Sequence, residues 1–217
     1  MAKRIGIDWV NKYHGRADDL KNCDNDAEGF YDHLSGVKWF NFGDDSAWDT
    51  DFEQSGTGTP SAGSDTLYAD NVDIVYFAGH GWISFGVTNH DNGSASPSEM
   101  ALGNGRCRYL VISSCEPMSD GGTARWQPIF KGLRAMFSFR TTIGDSADRG
   151  RKFAHYLNDG HYMDDAWKWA CEETEGGDCE WGYIHTVTPV NSWNDKWTDA
   201  SPAAVPSPTL HFHSGSC

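Results

Sequence analysis

Two apolar runs of the sequence each end at a residue that can do chemistry. The run over residues 72–82, VDIVYFAGHGW, reaches His80, and the run over residues 109–118, YLVISSCEPM, reaches Cys115. Short apolar runs of this kind are typical of buried strands in a parallel sheet. Because ligand crevices in such sheets lie beyond the carboxyl ends of the strands, we expect an imidazole and a thiol at one edge. A thiol beside a general base is the arrangement of a cysteine nucleophile.

Composition and charge limit the classes of function. The chain has 217 residues, 38% of them hydrophobic, and a net charge of −14, which is typical of a globular acidic domain. Phosphate binding needs a basic face, so we predict no nucleic-acid partner. No apolar stretch approaches the roughly 18 residues of a membrane span, and residues 1–15 lack the apolar region of a signal peptide. We expect no membrane association and a cytoplasmic location, with an extracellular origin left open.

Alternating strand and helix patterns predict the scaffold that would hold the imidazole and the thiol. Strands are predicted over residues 5–10, 37–42, 72–78, 108–113, 134–139 and 183–187. Helices are predicted over residues 22–34, 125–133, 146–157 and 163–173, the first of them capped by Asp24 or Asn25. This order is typical of an α/β fold with helices on both faces of a mainly parallel sheet. We expect a three-layer α/β/α sandwich with about six strands.

Residues 1–188 are predicted to form this single domain. Residues 189–217 are rich in Pro, Ser and Trp, and we expect them to pack on the domain as an irregular tail. Residues 43–70 predict a long loop, which in a compact domain is usually functional or mobile. The acids from Asp44 to Glu53 in that loop could bind Ca²⁺ through carboxylate oxygens, although a solvated acidic loop is the simpler interpretation.

The two strand ends resemble those of the caspase-like cysteine peptidases, the clan that includes caspases, metacaspases, gingipains and CHAT domains. In that clan the dyad is the His of a His-Gly pair and a Cys at the end of the next strand, and His80, Gly81 and Cys115 match these positions. Residues 133–173 follow the order of the CHAT branch, with a strand, a turn containing an acid, and two helices. The resemblance covers about residues 3–175. It implies a three-layer α/β/α sandwich and a His80/Cys115 dyad.

The chemistry of a thiol nucleophile assigns roles to the residues at the strand ends. The thiolate is the reactive form, so Cys115 must ionise or pass its proton to His80, which would then protonate the leaving amine. The tetrahedral intermediate needs hydrogen-bond donors for its oxyanion, and the amides of Gly81 and Cys115 are the natural pair. Glu116 follows the nucleophile directly, and its negative charge should raise the pKa of the thiol.

The substrate side chain would be selected by residues near the dyad. Metacaspases carry an Asp two residues before the Cys, where this chain has Ser113. CHAT-like members have an acid in the turn after the fifth strand, where Asp145 and Asp148 stand here, although Asp145 could equally cap the following helix. Together with Glu116 and Trp82 these acids are the predicted substrate-binding residues. They favour cleavage after a basic residue.

Other residue types that bind metals or form cross-links give weaker signals. His211 and His213 alternate as on one face of a strand and could bind a metal with His185, but solvent-exposed histidines are the simpler interpretation, so no metal site is predicted.

Cys171 and Cys179 flank an acidic turn and could form a disulfide in an oxidising compartment, which would leave Cys217 paired elsewhere or free.

The sequence therefore predicts a cysteine endopeptidase that cleaves protein or peptide substrates through a thioester, with no required cofactor. One alternative is a caspase-like binding or scaffold module without activity. Another is a secreted carbohydrate-active protein, because the chain combines ten Trp with many acids.

Overall fold

A mostly parallel seven-stranded sheet forms the centre of the computed structural model, which describes residues 2–15, 18–55, 63–83 and 86–217. The strands are β1 (Arg4–Trp9), β2 (Val37–Gly43), β3 (Ile74–Ala78), β4 (Val87–Thr88), β5 (Ser94–Ala95), β6 (Tyr109–Ser113), β7 (Ala135–Phe139), β8 (Glu180–Thr188) and β9 (Thr209–Ser216). The helices are α1 (Cys23–His33), α2 (Thr123–Trp126), α3 (Arg149–Asn158) and α4 (Met163–Thr174). Short 3-10 turns cover Asp44–Ser46, Asp49–Asp51, Ala69–Asn71 and Gln127–Ile129.

The strand order in the sheet is β2-β1-β3-β6-β7-β8-β9. The first five of these pair in parallel, and β8 and β9 add to β7 as antiparallel strands. The small hairpin of β4 and β5 is separate. The predicted α/β class and the mainly parallel sheet are confirmed, with seven strands where about six were expected.

Both faces of the sheet are apolar, but they are covered differently. Helices α1, α3 and α4 cover one face, where Phe30, Phe153 and Trp167 are fully buried. The other face packs against Trp126 and Phe130, which belong to short turns and irregular segments. Within the described parts of the chain no long helix lies on this second face, so the expectation of helices on both faces holds fully for only one of them.

The predicted helix over residues 125–133 is wrong. The chain forms only the single turn of α2, followed by the 3-10 turn Gln127–Ile129. Pro128 explains the interruption, because proline has no amide hydrogen and its ring clashes with the carbonyl four residues earlier in an α-helix. The predicted loop over residues 43–70 contains three 3-10 turns, and its residues 56–62 lie outside the described residues.

The start of α1 differs from the prediction in its cap. The N-cap residue is Asn22, and its side chain makes no capping bond. The side-chain oxygen of Asn11 instead accepts the amide of Cys23 at 2.9 Å. Asp24 and Asn25, the predicted caps, lie inside the helix. A residue distant in the sequence thus satisfies the first amide of the helix, which local pattern cannot reveal.

The C-terminal segment is only partly irregular. Residues Thr209–Ser216 form β9, which pairs with β8 along its whole length, so the expectation of an irregular tail is wrong for them. The sheet thus continues past the predicted boundary at residue 188. The side chains of β9 are mostly polar and range from half-buried to exposed, because this strand lies at the edge of the sheet. In the described residues no helix combines the length and the apolar character needed to cross a membrane.

A disulfide joins Cys179 to Cys217 at one end of the β8–β9 pair, with 5.3 Å between the two Cα atoms. The possible bridge between Cys171 and Cys179 does not form, because Cys171 is fully buried in the core-facing side of α4 and remains a free thiol. Cys217 lies opposite the start of β8 because Ser216 pairs with Glu180.

The pairing of Cys179 can be tested by counting thiols in the unfolded, unreduced protein. The wild type should show the four free cysteines. Cys217→Ser should add one thiol and lower the free energy of unfolding by about 2–5 kcal/mol, because the bridge no longer restricts the unfolded chain. Cys171→Ser, the matched control, should remove one thiol. If Cys171 were instead the partner of Cys179, Cys217→Ser would remove one thiol and Cys171→Ser would add one.

Candidate active site

The register of β3 and β6 brings His80 and Cys115 to the same edge of the sheet. The two strands are parallel neighbours in which Ala78 pairs with Ser113. His80 and Cys115 each come two residues beyond that pair, at the carboxyl ends of their strands. Parallel pairing keeps this offset equal on both strands, so the two residues occupy equivalent positions at the rim.

The two turns that follow these strands are in close contact. A Cβ atom added to Gly81 would lie 2.1 Å from Ser114 Oγ and 3.0 Å from the carbonyl oxygen of Cys115. No side chain fits in that space, so only glycine permits this approach. The His-Gly turn therefore packs directly on the Ser-Cys turn.

A cavity of about 240 Å³ opens at this edge and is lined by both turns. His80 and Cys115 line it together with the start of α1 and Leu20 before it, the loop over residues 142–146 and the first residue of α3, Arg149. Cavities at the carboxyl edge of a parallel sheet are the usual ligand sites of α/β proteins.

The imidazole of His80 is held in a defined orientation. Its Nε2 lies 2.7 Å from the backbone carbonyl of Asp18, and the Asp18 carboxylate lies 3.7 Å from the same nitrogen. A carbonyl can only accept, so the network assigns the proton to Nε2 and leaves Nδ1 with a lone pair. The hydroxyl of Tyr13 accepts the His80 amide at 2.7 Å, and the two rings are 4.7 Å apart.

The thiol of Cys115 is partly buried and accepts a hydrogen bond from the amide of Ile143 at 3.4 Å. Burial raises the pKa of this thiol, the Ile143 amide opposes the rise, and the negative charge of Glu116 adds to it. The expected effect of Glu116 on the pKa is therefore confirmed, although burial contributes more. Across the described residues no hydrogen bond joins the Cys115 thiol to His80, an arrangement common before a substrate is bound.

Hydrogen-bond donors surround the nucleophile without acceptors of their own. Among the described residues, no backbone acceptor takes the amides of Gly81 or Cys115. The hydroxyl of Ser114 is buried and also lacks a partner there. Unpaired donors at a reactive centre are what an oxyanion requires. Sequence reasoning assigned the two amides but missed Ser114.

The floor of the cavity is a buried charge network that sequence reasoning also missed. Arg149 is 1% exposed and donates to Ser113 Oγ at 2.6 Å and to the carboxylate of Glu175. Ser113 donates in turn to Asp26, whose carboxylate lies 3.6 Å from the guanidinium. Burial raises the pKa of Asp26, and the charge of Arg149 opposes that rise. No local signal marks these residues, since each lies on a different element.

Of the predicted acids, only Asp145 lines the cavity. Its carboxylate accepts the amides of Lys21 at 2.6 Å and Asn22 at 3.2 Å. It thus holds the start of α1 and does not cap the following helix. Asp148 is the N-cap residue of α3, is exposed, and pairs with Arg151 at 2.9 Å outside the cavity.

The other two predicted substrate-binding residues lie beside the cavity. Glu116 has a φ of 64° and accepts a hydrogen bond from Thr142 Oγ1 at 3.1 Å. Trp82 follows Gly81 and is 59% exposed. Neither lines the cavity, so in this conformation neither is placed to contact a substrate side chain bound there.

The acidic segment from Asp44 to Glu53 uses its carboxylates to fasten loops. Asp44 accepts the amides of Asn11 and Lys12, each at 2.8 Å. Two groups of three potential metal ligands occur in the described residues, and neither includes this segment: one is His185, His211 and His213, and the other is His14, His90 and Asp91. The possible Ca²⁺ site therefore stays a prediction, because no group of three candidate ligands among the described residues includes this segment.

These features define an α/β protein with a mostly parallel sheet and a cavity lined by Cys and His at its carboxyl edge. The chain belongs to the family described as a domain of unknown function, DUF6345, whose family model matches residues 7–212. No curated protein matches the chain. The family match includes both the cavity and the start of β9, so it also crosses the predicted boundary at residue 188.

The charge of Glu116 gives a pH-dependent test of the site. Alkylation of Cys115 by iodoacetamide requires the thiolate, so its rate should rise with pH up to the raised pKa of the thiol. Glu116→Gln removes one of the causes of that raised pKa, and the rate profile should move to lower pH. Mass spectrometry of the Cys115 peptide gives the rate at each pH. Glu172→Gln, an exposed change on α4, should leave the profile in place, and an unmoved Glu116→Gln profile would contradict the assignment.

Proposed function

We propose that the chain is a caspase-like cysteine peptidase that cleaves protein or peptide substrates with His80 and Cys115. The observation that carries the proposal is the equal register of β3 and β6, which brings the imidazole and the thiol to the rim of one cavity. The fixed orientation of His80 and the unpaired amides of Gly81 and Cys115 support it.

In the acylation step, the Cys115 proton would pass to Nδ1 of His80. Burial keeps the thiol protonated at neutral pH, so the proton moves as the Sγ–carbon bond forms. The carbonyl oxygen of the substrate then becomes an oxyanion that accepts hydrogen bonds from the amides of Gly81 and Cys115. The Asp18 carbonyl and carboxylate stabilise the imidazolium through Nε2, as an orienting acid does in a triad.

The collapse of the tetrahedral intermediate breaks the carbon–nitrogen bond. His80 donates its Nδ1 proton to the leaving amine, and the acyl group remains on Cys115 as a thioester. His80 then accepts a proton from a water molecule that attacks the thioester. The thiol is released with the proton that His80 returns, so the cycle ends with the original protonation state.

The charges of the cavity favour a basic or neutral substrate side chain. Among the described residues that line the cavity, Arg149 is the permanently charged cation, and Asp26 and Glu175 already pair with it. An acidic side chain would therefore meet no uncompensated positive charge. Asp145 adds a carboxylate to the wall, so a lysine or arginine side chain would gain an ionic partner.

The disulfide is relevant to the compartment in which the protein works. Bridges such as Cys179–Cys217 persist mainly in oxidising compartments. They are rare where thiols are kept reduced. Within this proposal, the bridge favours the extracellular alternative over the cytoplasmic one.

Labelling with an acyloxymethyl ketone peptide tests the proposal. The wild type should be modified at Cys115, and both Cys115→Ala and His80→Ala should lose the labelling. Cys23→Ala is a matched control, because Cys23 lines the same cavity but burial strongly raises its thiol pKa. This variant should label as the wild type does. Slow and equal labelling of all free thiols would instead identify an inactive binding module.

The specificity is tested with peptide substrates that differ only in the residue before the scissile bond. Asp145→Asn keeps an acceptor for the amides of Lys21 and Asn22 but removes the charge. It should lower kcat/KM for lysine and arginine substrates by about 10-fold or more relative to a neutral substrate, in line with the loss of a charge-assisted hydrogen bond. Asp148→Asn is the control outside the cavity and should change nothing. Equal losses on basic and neutral substrates would rule out Asp145 as the specificity residue.

A further inference from the structure

Three histidines lie close together at one end of the sheet, and the Cys115 cavity lies at the other end. His185 on β8 pairs with His211 on β9, and His213 lies two residues further along the same face of β9. His185 pairs on its other side with Ala135 at the start of β7, whereas the cavity lies beyond the ends of the parallel strands. One ring nitrogen from each of the three lies within 4.8 Å of the others.

One of the ring nitrogens is buried without a partner. His185 is 2% exposed, and its Nδ1 lies 3.1 Å from the carbonyl of Thr186. That carbonyl can only accept, so it assigns the proton to Nδ1 and leaves a bare lone pair on Nε2. Among the described residues no donor reaches this Nε2. A buried acceptor without a donor is costly, and a cation bound there would satisfy it.

Burial and ring contacts act on His185 and His213. Burial, together with the nearby His213 and His211, lowers the pKa of His185 to about 4, and burial also lowers the pKa of His213. Neutral imidazole is the form that binds metals. Tyr183 stacks on His185 with ring centroids 5.0 Å apart, and Trp193 contacts His213 at 4.3 Å.

We propose that His185, His211 and His213 form a binding site for a divalent transition-metal ion of the zinc class. Three imidazole nitrogens at about 2.0–2.1 Å from a shared ion are a usual zinc ligand set, with the fourth position left to water or another ligand. The bond from Nδ1 of His185 to a backbone carbonyl is the outer contact that typically orients a metal-binding histidine.

Access from solvent favours an exchangeable ion. His211 is exposed and His213 is half-buried, so the cluster opens to solvent on the β9 side. His211 Nδ1 and His213 Nε2 are 2.8 Å apart. Tetrahedral zinc geometry requires about 3.3 Å between ligand nitrogens, from its bond length of 2.0–2.1 Å. A shift of about 0.5 Å, within the reach of small χ rotations, is enough to admit the ion.

The site is tested by calorimetric titration of Zn²⁺ into the full chain, without a histidine tag and after treatment with a chelator. The wild type should bind at saturation, and Co²⁺ should give the visible absorption typical of tetrahedral nitrogen ligands. His211→Ala should weaken binding by at least about 10-fold. Because His211 is exposed, this variant should keep the Tm of the metal-free wild type, whereas Zn²⁺ should raise the Tm of the wild type only.

His14→Ala serves as the control, since His14 belongs to the other group of potential ligands. This variant should keep the Zn²⁺ binding that His211→Ala weakens. The proposal is overturned if the wild type shows no saturable Zn²⁺ binding, or if His211→Ala binds as the wild type does. It is also overturned if His14→Ala removes all of the binding. The test does not depend on peptidase activity, so its outcome is separate from that of the proposed function.

Discussion

The walls of the cavity depend on one buried guanidinium, that of Arg149. It reaches β6 through Ser113, the end of α4 through Glu175, and the loop after β7 through the carbonyl of Gly144. Asp26 brings α1 into the same network. Burial would lower the pKa of Arg149, but Asp26, Glu175 and the other groups around it together outweigh that effect and raise the pKa. One charge thus holds three helices and a strand in a single arrangement around the pocket.

Such a network contributes more to the specificity of the fold than to its stability. A buried ion pair is roughly neutral against an apolar replacement, but the loss of one partner costs about 3–5 kcal/mol because a charge is left uncompensated. Any packing of α1 on α3 that separates Asp26 from Arg149 is therefore strongly disfavoured. Ser113 belongs to this network and stands two residues before Cys115. The buried network thus fixes the position of the thiol, as a preorganised site requires.

The sequence predicts the parts of this site that depend on local pattern. Apolar runs ending in small residues revealed β3 and β6, and the order of the motifs brought His80 and Cys115 to one rim. The network around Arg149 could not be predicted, because its partners come from separate elements and meet only through tertiary packing. The same reason explains Asp145, which holds the start of α1 from more than a hundred residues away. The strand β9 was missed for another reason: it follows a segment rich in Pro and Ser, and Leu210 and Phe212 are its only large apolar residues.

That polar edge strand raises the question of what keeps it on the sheet. Leu210 and Phe212 of β9 pack against the core, and the backbone hydrogen bonds to β8 add to this, each with a small net contribution. A covalent cross-link at one end adds to these interactions. The Cys179–Cys217 bridge closes one end of the β8–β9 pair, and His185 meets His211 near the other. An ion bound by the histidines would therefore hold the one end of β9 that the disulfide does not reach.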